Sequence, residues 1–411
     1  MRLIVQKFGG TSVQTREKRK FVIEKIKQAL EMDYKVVVVV SAPGRNPDPY
    51  ATDTLIQMVD EPKNRNERRE LDLLMACGEI ISSTVLADEL RRSNVSAVAL
   101  TGAQAGLITT DDFNEAKIKK VKPDRIKREL VENDVVVVAG FQGRTEDGEI
   151  TTIGRGGSDT SAAAFGASLK AEYIDIFTDV NGIMTADPRV VKNAQPIDVV
   201  TYTEICNLAY QGAKVIHPRA VEIAMQAKIP IRIRSTYSND FGTLITASPT
   251  DDVGIDIPDR LVTGIAHIDQ LSQIKVPIDQ DDLKAQALIF ETMAEADISV
   301  DFINISVDEI TFTVPNKLAD EVDRLLTEVG YKPIITRNCA KVSAVGAGMT
   351  GIPGVAAKII KSLVDVGVQV LQSADSHTTI WVLIKEEEIH KAVNALHEAF
   401  ELNKKVKKNK R

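Results

Sequence analysis

Short, continuously apolar runs alternate with longer segments of helical periodicity over the first part of the chain. The apolar runs are Leu3–Val5, Val36–Val40, Val95–Leu100, Val135–Ala139, Tyr173–Phe177 and Ile229–Ile233. Helical spacing of apolar residues is found in the intervening segments Arg16–Glu31, Leu71–Arg92 and Thr160–Leu169. Because such runs are typical of parallel strands buried on both faces, we predict a three-layer α/β/α domain with an open, mainly parallel sheet.

The pattern changes after Ser248–Asp259, a stretch with two prolines and four aspartates whose composition indicates a linker. Beyond it, strand and helix patterns repeat at an offset of ~70 residues without a gap. Ile298–Val300 and Ile310–Val314 in the first copy match Val368–Val370 and Ile380–Ile384 in the second. Each copy is predicted to have the order β-α-β-β-α-β, which is that of ferredoxin-like α+β units.

These patterns divide the chain into four predicted segments. They are an α/β domain over 1–247, two α+β units over 260–337 and 338–403, and a basic tail over 404–411. An exchange of strands between the two small units is left open. Paired units of this kind form an interface at which a small molecule can bind.

Composition and charge exclude several classes of function. The 411 residues carry a net charge of −7, whereas a nucleic-acid binder is expected to be basic. The sequence has no run of 18 apolar residues and no signal-peptide pattern, so we expect a cytoplasmic protein without a membrane partner. Its three cysteines and five histidines are scattered, and we predict neither a disulfide framework nor a protein-bound metal.

Candidate chemistry begins at Lys7-Phe8-Gly9-Gly10-Thr11-Ser12, between the first strand and the next helix. Gly9 and Gly10 let the backbone approach an anion closely, and Lys7 adds a positive charge for a phosphate. A plain turn with a surface lysine explains the segment equally well. It is not a Walker A loop, because the chain contains no such motif.

A second glycine-rich segment, Gly154–Ser161, combines an arginine with an aspartate. Arg155 can hold a carboxylate in a bidentate fork, and the serines can cap the following helix. Asp159 would repel a phosphate, so it is predicted to orient Lys7 or to bind a substrate ammonium group. An N-capped loop with incidental charges is the alternative interpretation.

Polar residues also follow the strand at Tyr173–Phe177, where ligands bind in open α/β sheets. Thr178 and Asp179 lie at that strand end, and Arg189 and Lys214 are candidate phosphate ligands. Taken singly, each of these two cations is as well explained by a solvated surface charge.

Together the motifs resemble those of the aspartate kinases in the amino-acid kinase family, over nearly the whole chain. The shared motifs are Lys7–Ser12, Ser41-Ala42, Cys77–Glu79, Ala139–Gly143, Thr152–Ser161, Thr178–Arg189 and Gly212–Ile216. The C-terminal pair resembles tandem ACT domains, and the match is similar to Bacillus-type isozymes. The resemblance implies ATP-dependent phosphorylation of the aspartate β-carboxylate to 4-phospho-L-aspartate. This reaction opens the lysine, diaminopimelate, threonine and methionine pathway, under feedback control.

The resemblance also implies individual roles. Lys7 and Asp159 would be catalytic, with Asp159 organising Lys7 and the acceptor. ATP would be bound by Lys7, Gly9, Gly10, Thr178, Asp179, Met184, Asp187, Arg189 and Lys214. Aspartate would be bound by Arg155 at its α-carboxylate and Glu79 at its α-ammonium, with Ser41, Thr52 and Ser158 nearby. Mg²⁺ would be held mainly through the ATP phosphates.

The same resemblance implies an amino-acid effector and a homodimer or higher homo-oligomer. Asn304, Ile305, Gln372 and Asp375 are the predicted effector residues, and meso-diaminopimelate is the predicted effector. Two alternatives stay open: another kinase of this fold, acting on acetylglutamate or glutamate, and a non-catalytic amino-acid sensor. Gly346–Gly351 matches a dinucleotide fingerprint, but too few residues follow it for a dinucleotide-binding domain.

Overall fold

The structure of the chain, a computed structural model, describes residues 2–213, 215–247, 261–279, 284–347, 349 and 352–404. The described residues form two compact units. The first contains those of 1–183, 196–209 and 214–257, and the second those of 184–195, 210–213 and 258–411. The predicted linker at Ser248–Asp259 and nearly all of the basic tail lie outside the described residues.

The strands of the first unit form two sheets. Their bounds are Arg2–Phe8 (β1), Tyr34–Val40 (β2), Ala97–Leu100 (β3), Leu107–Thr109 (β4), Ile118–Val121 (β5), Val135–Ala139 (β6), Gln142–Arg144 (β7), Ile150–Thr152 (β8), Tyr173–Thr178 (β9), Val199–Thr201 (β10), Ile231–Ser235 (β11) and Thr243–Thr246 (β12). In the described chain, the main sheet has the order β10-β12-β11-β9-β1-β2-β6-β3. Its neighbouring strands are parallel except β11 and β12. A smaller sheet has the order β5-β4-β7-β8.

Helices cover both faces of the main sheet. Their bounds are Gly10–Val13 (α1), Arg16–Glu31 (α2), Thr52–Ile56 (α3), Arg65–Arg92 (α4), Asp124–Glu132 (α5), Gly157–Leu169 (α6), Tyr202–Tyr210 (α7) and Pro218–Ala227 (α8). On one face, Phe8 shares a buried core with Ile26 of α2 and Leu86 of α4. On the other face, Gly166 of α6 lies against Ile174. The predicted three-layer fold is therefore confirmed.

The smaller sheet of the first unit was not predicted. Its strands are only three or four residues long, which is too short for a period of two to show in the sequence. This sheet matters for the site, because β8 leads directly into the glycine-rich segment that begins at Gly154.

The second unit has one antiparallel sheet with four further helices in the described chain. The bounds are Gly264–Pro277 (β13), Asp301–Ile305 (β14), Glu309–Pro315 (β15), Ile334–Val345 (β16), Gln372–Asp375 (β17), Thr379–Lys385 (β18), Ala285–Glu295 (α9), Ala319–Glu328 (α10), Val355–Asp365 (α11) and Ile389–Ala399 (α12). The strand order is β14-β15-β13-β16-β18-β17. Corresponding elements match at the predicted offset, as α9 and α11 show by beginning at Ala285 and Val355. The predicted strands Ile298–Val300 and Val368–Val370 are wrong in position, because they precede β14 and β17.

The long strands β13 and β16 each contribute to both copies. Ile274 of β13 packs in the core of the first copy, whereas Ile265 of the same strand packs in that of the second. In β16, Ile335 packs against the core of the first copy and Val342 packs in that of the second. The predicted boundary between 337 and 338 therefore falls inside a shared strand.

The first unit also differs from the predicted domain over 1–247. Residues 184–195 leave it, and Ala186, Val191 and Ala194 are buried in the core of the second unit. The hydrophobic pattern could not show this, because burial looks the same whichever core receives the side chain. Among the described helices, none is long and apolar enough to cross a membrane.

Candidate active site

A cleft of about 230 Å³ lies at the carboxyl ends of β1, β2 and β9. Six predicted site residues line it: Lys7, Gly9, Gly10, Ser41, Thr178 and Asp179. Thr11, Gly44, Arg45, Ile176, Phe177 and Val215 complete the lining. The carboxyl ends of parallel strands are the usual ligand position in open α/β sheets.

The turn after β1 brings the backbone close to this cleft. A Cβ atom on Gly10 would lie 2.4 Å from the Ala42 carbonyl oxygen, so a larger residue would displace the backbone. The Gly44 amide donates to the Gly10 carbonyl at 2.9 Å and ties this turn to the loop after β2. The two loops therefore form one wall that an anionic ligand can approach closely.

Lys7 and Asp159 form an ion pair beside the glycine turn. The Lys7 Nζ lies 2.7 Å from Asp159 Oδ1, and the side chains are 13% and 12% exposed. Asp159 lies in the first turn of α6. Such an enclosed pair keeps the ammonium group in one place, which suits the stabilisation of negative charge that develops during a reaction.

The loop that carries Arg155 is bounded by two glycines in the left-handed region. Gly154 has φ 71° and Gly156 has φ 68°, and a Cβ atom on Gly156 would lie 2.3 Å from His217 Cβ. Arg155 itself is exposed, whereas Ser158 at the start of α6 is buried. The backbone therefore presents the guanidinium group outward while the helix start is packed.

Glu79 is a buried carboxyl in the middle of α4. Its side chain accepts a hydrogen bond from the Ala42 amide at 2.9 Å through Oε1. Its Oε2 is buried without a hydrogen-bond partner among the described residues. Burial raises the pKa of Glu79 to about 8, against the lowering effect of the Ala42 amide. A group of this kind is suited to receive a cation.

Comparison with known proteins identifies the family. The amino acid kinase family matches residues 2–235, and an ACT domain family matches residues 334–398. The chain is 59% identical to aspartokinase 1 of Bacillus subtilis (strain 168) over 404 residues, covering 98% of this chain and 100% of that protein. The chain belongs to the aspartokinases of the amino acid kinase family. This confirms the family indicated by the sequence motifs.

Two solved aspartokinase structures share the fold. The crystal structure of the Clostridium acetobutylicum aspartate kinase has a TM-score of 0.80 at 24% identity, covering 97% of this chain and 100% of that one. The structure of E. coli aspartokinase III in complex with aspartate and ADP has a TM-score of 0.76 at 23% identity, covering 97% and 99%.

The remaining residues predicted from the aspartokinase motifs are spread over both units. Thr52 is half-buried at the start of α3 in the first unit. Met184, Asp187 and Arg189 belong to the second unit. There the Arg189 guanidinium lies 2.6 Å from Asp187 and, with its hydrogen bonds, lowers the pKa of that carboxyl. Lys214 lies outside the described residues.

The predicted effector residues lie on the two edge strands of the second-unit sheet. Asn304 and Ile305 of β14 are exposed, as is Asp375 of β17. The Gln372 side chain is engaged instead, since its Nε2 donates to the Phe302 carbonyl at 2.6 Å. Effector binding at these residues remains a prediction.

Other residues of the site were missed by the sequence analysis. Gly44 and Arg45 line the cleft, and their position directly after β2 was a usable signal. The buried Asp72 was also missed; it accepts a hydrogen bond from the hydroxyl of Thr152, which lies 80 residues later in the shared motif Thr152–Ser161. No local motif indicates such a pair.

Proposed function

We propose that this aspartokinase transfers the γ-phosphoryl group of ATP to the β-carboxylate of aspartate at the cleft beside Lys7. The proposal depends chiefly on the Lys7–Asp159 ion pair next to the glycine turn. The chain is an aspartate kinase under allosteric control, as its family and its ACT domain match indicate. The aspartate and ADP bound by E. coli aspartokinase III are ligands of the same classes.

In this proposal two groups recognise the α-carbon substituents of aspartate. Arg155 grips the α-carboxylate in a bidentate fork, and the exposed guanidinium is accessible for it. Glu79 accepts the α-ammonium at its unpartnered Oε2 and ionises as the cation binds. Ser41, Thr52 and Ser158 complete the substrate side.

The chemistry itself needs charge screening more than proton transfer. A free aspartate side chain has a pKa of ~3.9 and is already ionised at neutral pH. Lys7 with Gly9 and Gly10 holds the transferring phosphoryl group, and Asp159 keeps Lys7 in place. The barrier is then lowered by positioning and electrostatics, as in phosphoryl transfer generally.

ATP is proposed to bind through Thr178 and Asp179 of the cleft. Roles in ATP binding for Met184, Asp187, Arg189 and Lys214 stay predictions from the aspartokinase motifs. Mg²⁺ is proposed to bind mainly through the ATP phosphates, where it screens their charge.

Feedback control is proposed to act through meso-diaminopimelate bound near Asn304, Ile305, Gln372 and Asp375. Four further points stay predictions. They are a catalytic domain over 1–247, ACT domains over 260–337 and 338–403, a homodimeric or larger assembly, and a cytoplasmic location. Inhibition assays with meso-diaminopimelate, lysine and threonine test the effector. Inhibition by lysine alone would refute it.

The catalytic proposal is tested by an ATP-dependent hydroxamate assay with aspartate, glutamate and acetylglutamate as acceptors. We expect product with aspartate and at most traces with the other two. Equal rates with acetylglutamate would contradict the role of Glu79, because acetylation removes the ammonium that Glu79 receives and leaves the α-carboxylate available to Arg155.

A further inference from the structure

The first half of α4 holds the smaller sheet of the first unit through polar contacts. Arg69 Nε lies 2.6 Å from Glu149 Oε2 just before β8. Gln142 Nε2 of β7 donates to the Ala76 carbonyl at 2.9 Å. Between these two contacts along α4 lies Asp72, whose side chain is fully buried. The helix therefore places a carboxyl group directly against the sheet that leads to the Arg155 loop.

Three donors converge on the Asp72 carboxyl group. The backbone N–H of Asn114 donates to both carboxyl oxygens of Asp72, at 3.2 Å to Oδ1 and 3.1 Å to Oδ2. The side-chain Nδ2 of Asn114 donates to Asp72 Oδ1 at 2.9 Å. The Thr152 hydroxyl also donates to Oδ1. Burial raises the pKa of Asp72, while the bonds from Thr152 and Asn114 act in the opposite direction.

These partners lie on both sides of the loop that carries Arg155. Thr152 is the last residue of β8, three positions before Arg155. A Cβ atom on Gly154 would lie 3.6 Å from the Asn114 carbonyl oxygen, so the loop passes close to that residue. Asn114 has φ 72°, a left-handed backbone conformation that costs energy in a non-glycine residue. In this conformation its backbone N–H and its side chain donate to Asp72, and its side chain also donates to the Arg68 carbonyl.

The same helix carries Glu79, seven residues after Asp72 and therefore about two turns, or roughly 10 Å, along the axis. We propose that Asp72 is a positioning residue for aspartate, which sets the Arg155 loop at the correct distance from Glu79. This inference rests on the roles proposed above for Arg155 and Glu79. Asp72 touches neither ATP nor aspartate, and it acts through Thr152 and Asn114.

The test compares Michaelis constants of the full-length enzyme for its two substrates. Asp72→Asn keeps the shape but turns an amide NH₂ toward groups that are themselves donors. We expect the KM for aspartate to rise at least about ten-fold while the KM for ATP stays within about two-fold. Arg69→Gln, which removes another contact between α4 and this sheet, is the matched control and should leave both constants unchanged.

Thr152 supplies a second pair of variants in case Asp72→Asn folds poorly. Thr152→Val removes the donor and should raise the aspartate KM, whereas Thr152→Ser retains the hydroxyl and should not. Equal rises in both constants, or a lower melting temperature with unchanged constants, would show a purely structural role and overturn the inference.

Failure of this inference can be separated from failure of the proposed function. Arg155→Lys tests the latter, because the bidentate fork is lost while the charge is kept. A raised aspartate KM in Arg155→Lys with none in Asp72→Asn would leave the proposed function intact and remove only the role of Asp72. An unchanged aspartate KM in Arg155→Lys would instead remove the substrate-binding role proposed for Arg155.

Discussion

Replacement of Glu79 by glutamine removes an ionisable carboxyl group from the interior of the first unit and keeps the side-chain shape. The carboxyl group is 2% exposed, and burial raises its pKa from 4.5 to about 8. Between these pH values the folded state retains a proton that the unfolded chain has lost. Glu79 therefore contributes a decrease in the free energy of unfolding as the pH rises through this range.

The size of this effect follows from the same two pKa values. Each pH unit between 4.5 and about 8 contributes roughly 1.4 kcal/mol, so the ionisable carboxyl costs the folded state about 5 kcal/mol by pH 8. In urea unfolding over about pH 5 to 8.5, the stability difference between Glu79→Gln and the wild type should grow with this slope. Glu70→Gln, which alters an exposed carboxyl of the same helix, should follow the wild type.

The same variant tests the ammonium site. A hydrogen bond to a charged group is worth about 1.5–3 kcal/mol, so Glu79→Gln should raise the aspartate KM by roughly 10- to 150-fold with little change for ATP. In the wild type, aspartate should bind more tightly as the pH rises toward 8, because the ionised carboxyl is the form that receives the cation. Parallel stability curves together with an unchanged aspartate KM would refute the reasoning.

Three further substitutions probe the remaining features. Lys7→Ala should lower turnover by about 10²- to 10³-fold while ATP still binds, as measured by hydroxamate formation and nucleotide titration; near-normal turnover would contradict its role. Gly10→Ala should destabilise the fold by about 1–3 kcal/mol and weaken ATP binding, because its Cβ would meet the Ala42 carbonyl; calorimetry and the ATP KM test this. Burial lowers the pKa of His397 below 6.5, so stability should fall as the pH drops below that value, and His397→Gln should remove this loss in thermal melts.

The sequence predicted the main sheet well because its strands are long apolar runs. Val36–Val40 lies wholly inside β2, and every one of its side chains is buried. The repeat in the second unit was equally accessible, because an offset of ~70 residues aligns whole helices and strands. Patterns of this length distinguish helix from strand, whereas short apolar runs do not.

Other features depend on contacts that no local pattern records. The segment 184–195 shows buried positions, but the sequence cannot tell which unit buries them. Thr185 at its start lies 2.9 Å from the buried ring of His397, more than 200 residues later in the chain. Likewise, the division of β13 between two cores at Ile265 and Ile274 follows from three-dimensional packing alone.

The two buried carboxyl groups of α4, Asp72 and Glu79, have different surroundings in the structure. Asp72 is surrounded by donors from Asn114 and Thr152, so its burial is compensated within the fold. Glu79 receives one amide, and its second oxygen has no partner among the described residues. An unsatisfied buried acceptor costs about 1–3 kcal/mol, which a purely structural position has no reason to retain. A bound ammonium group would remove that cost, and Glu79 is therefore the carboxyl of α4 that we expect to meet the substrate.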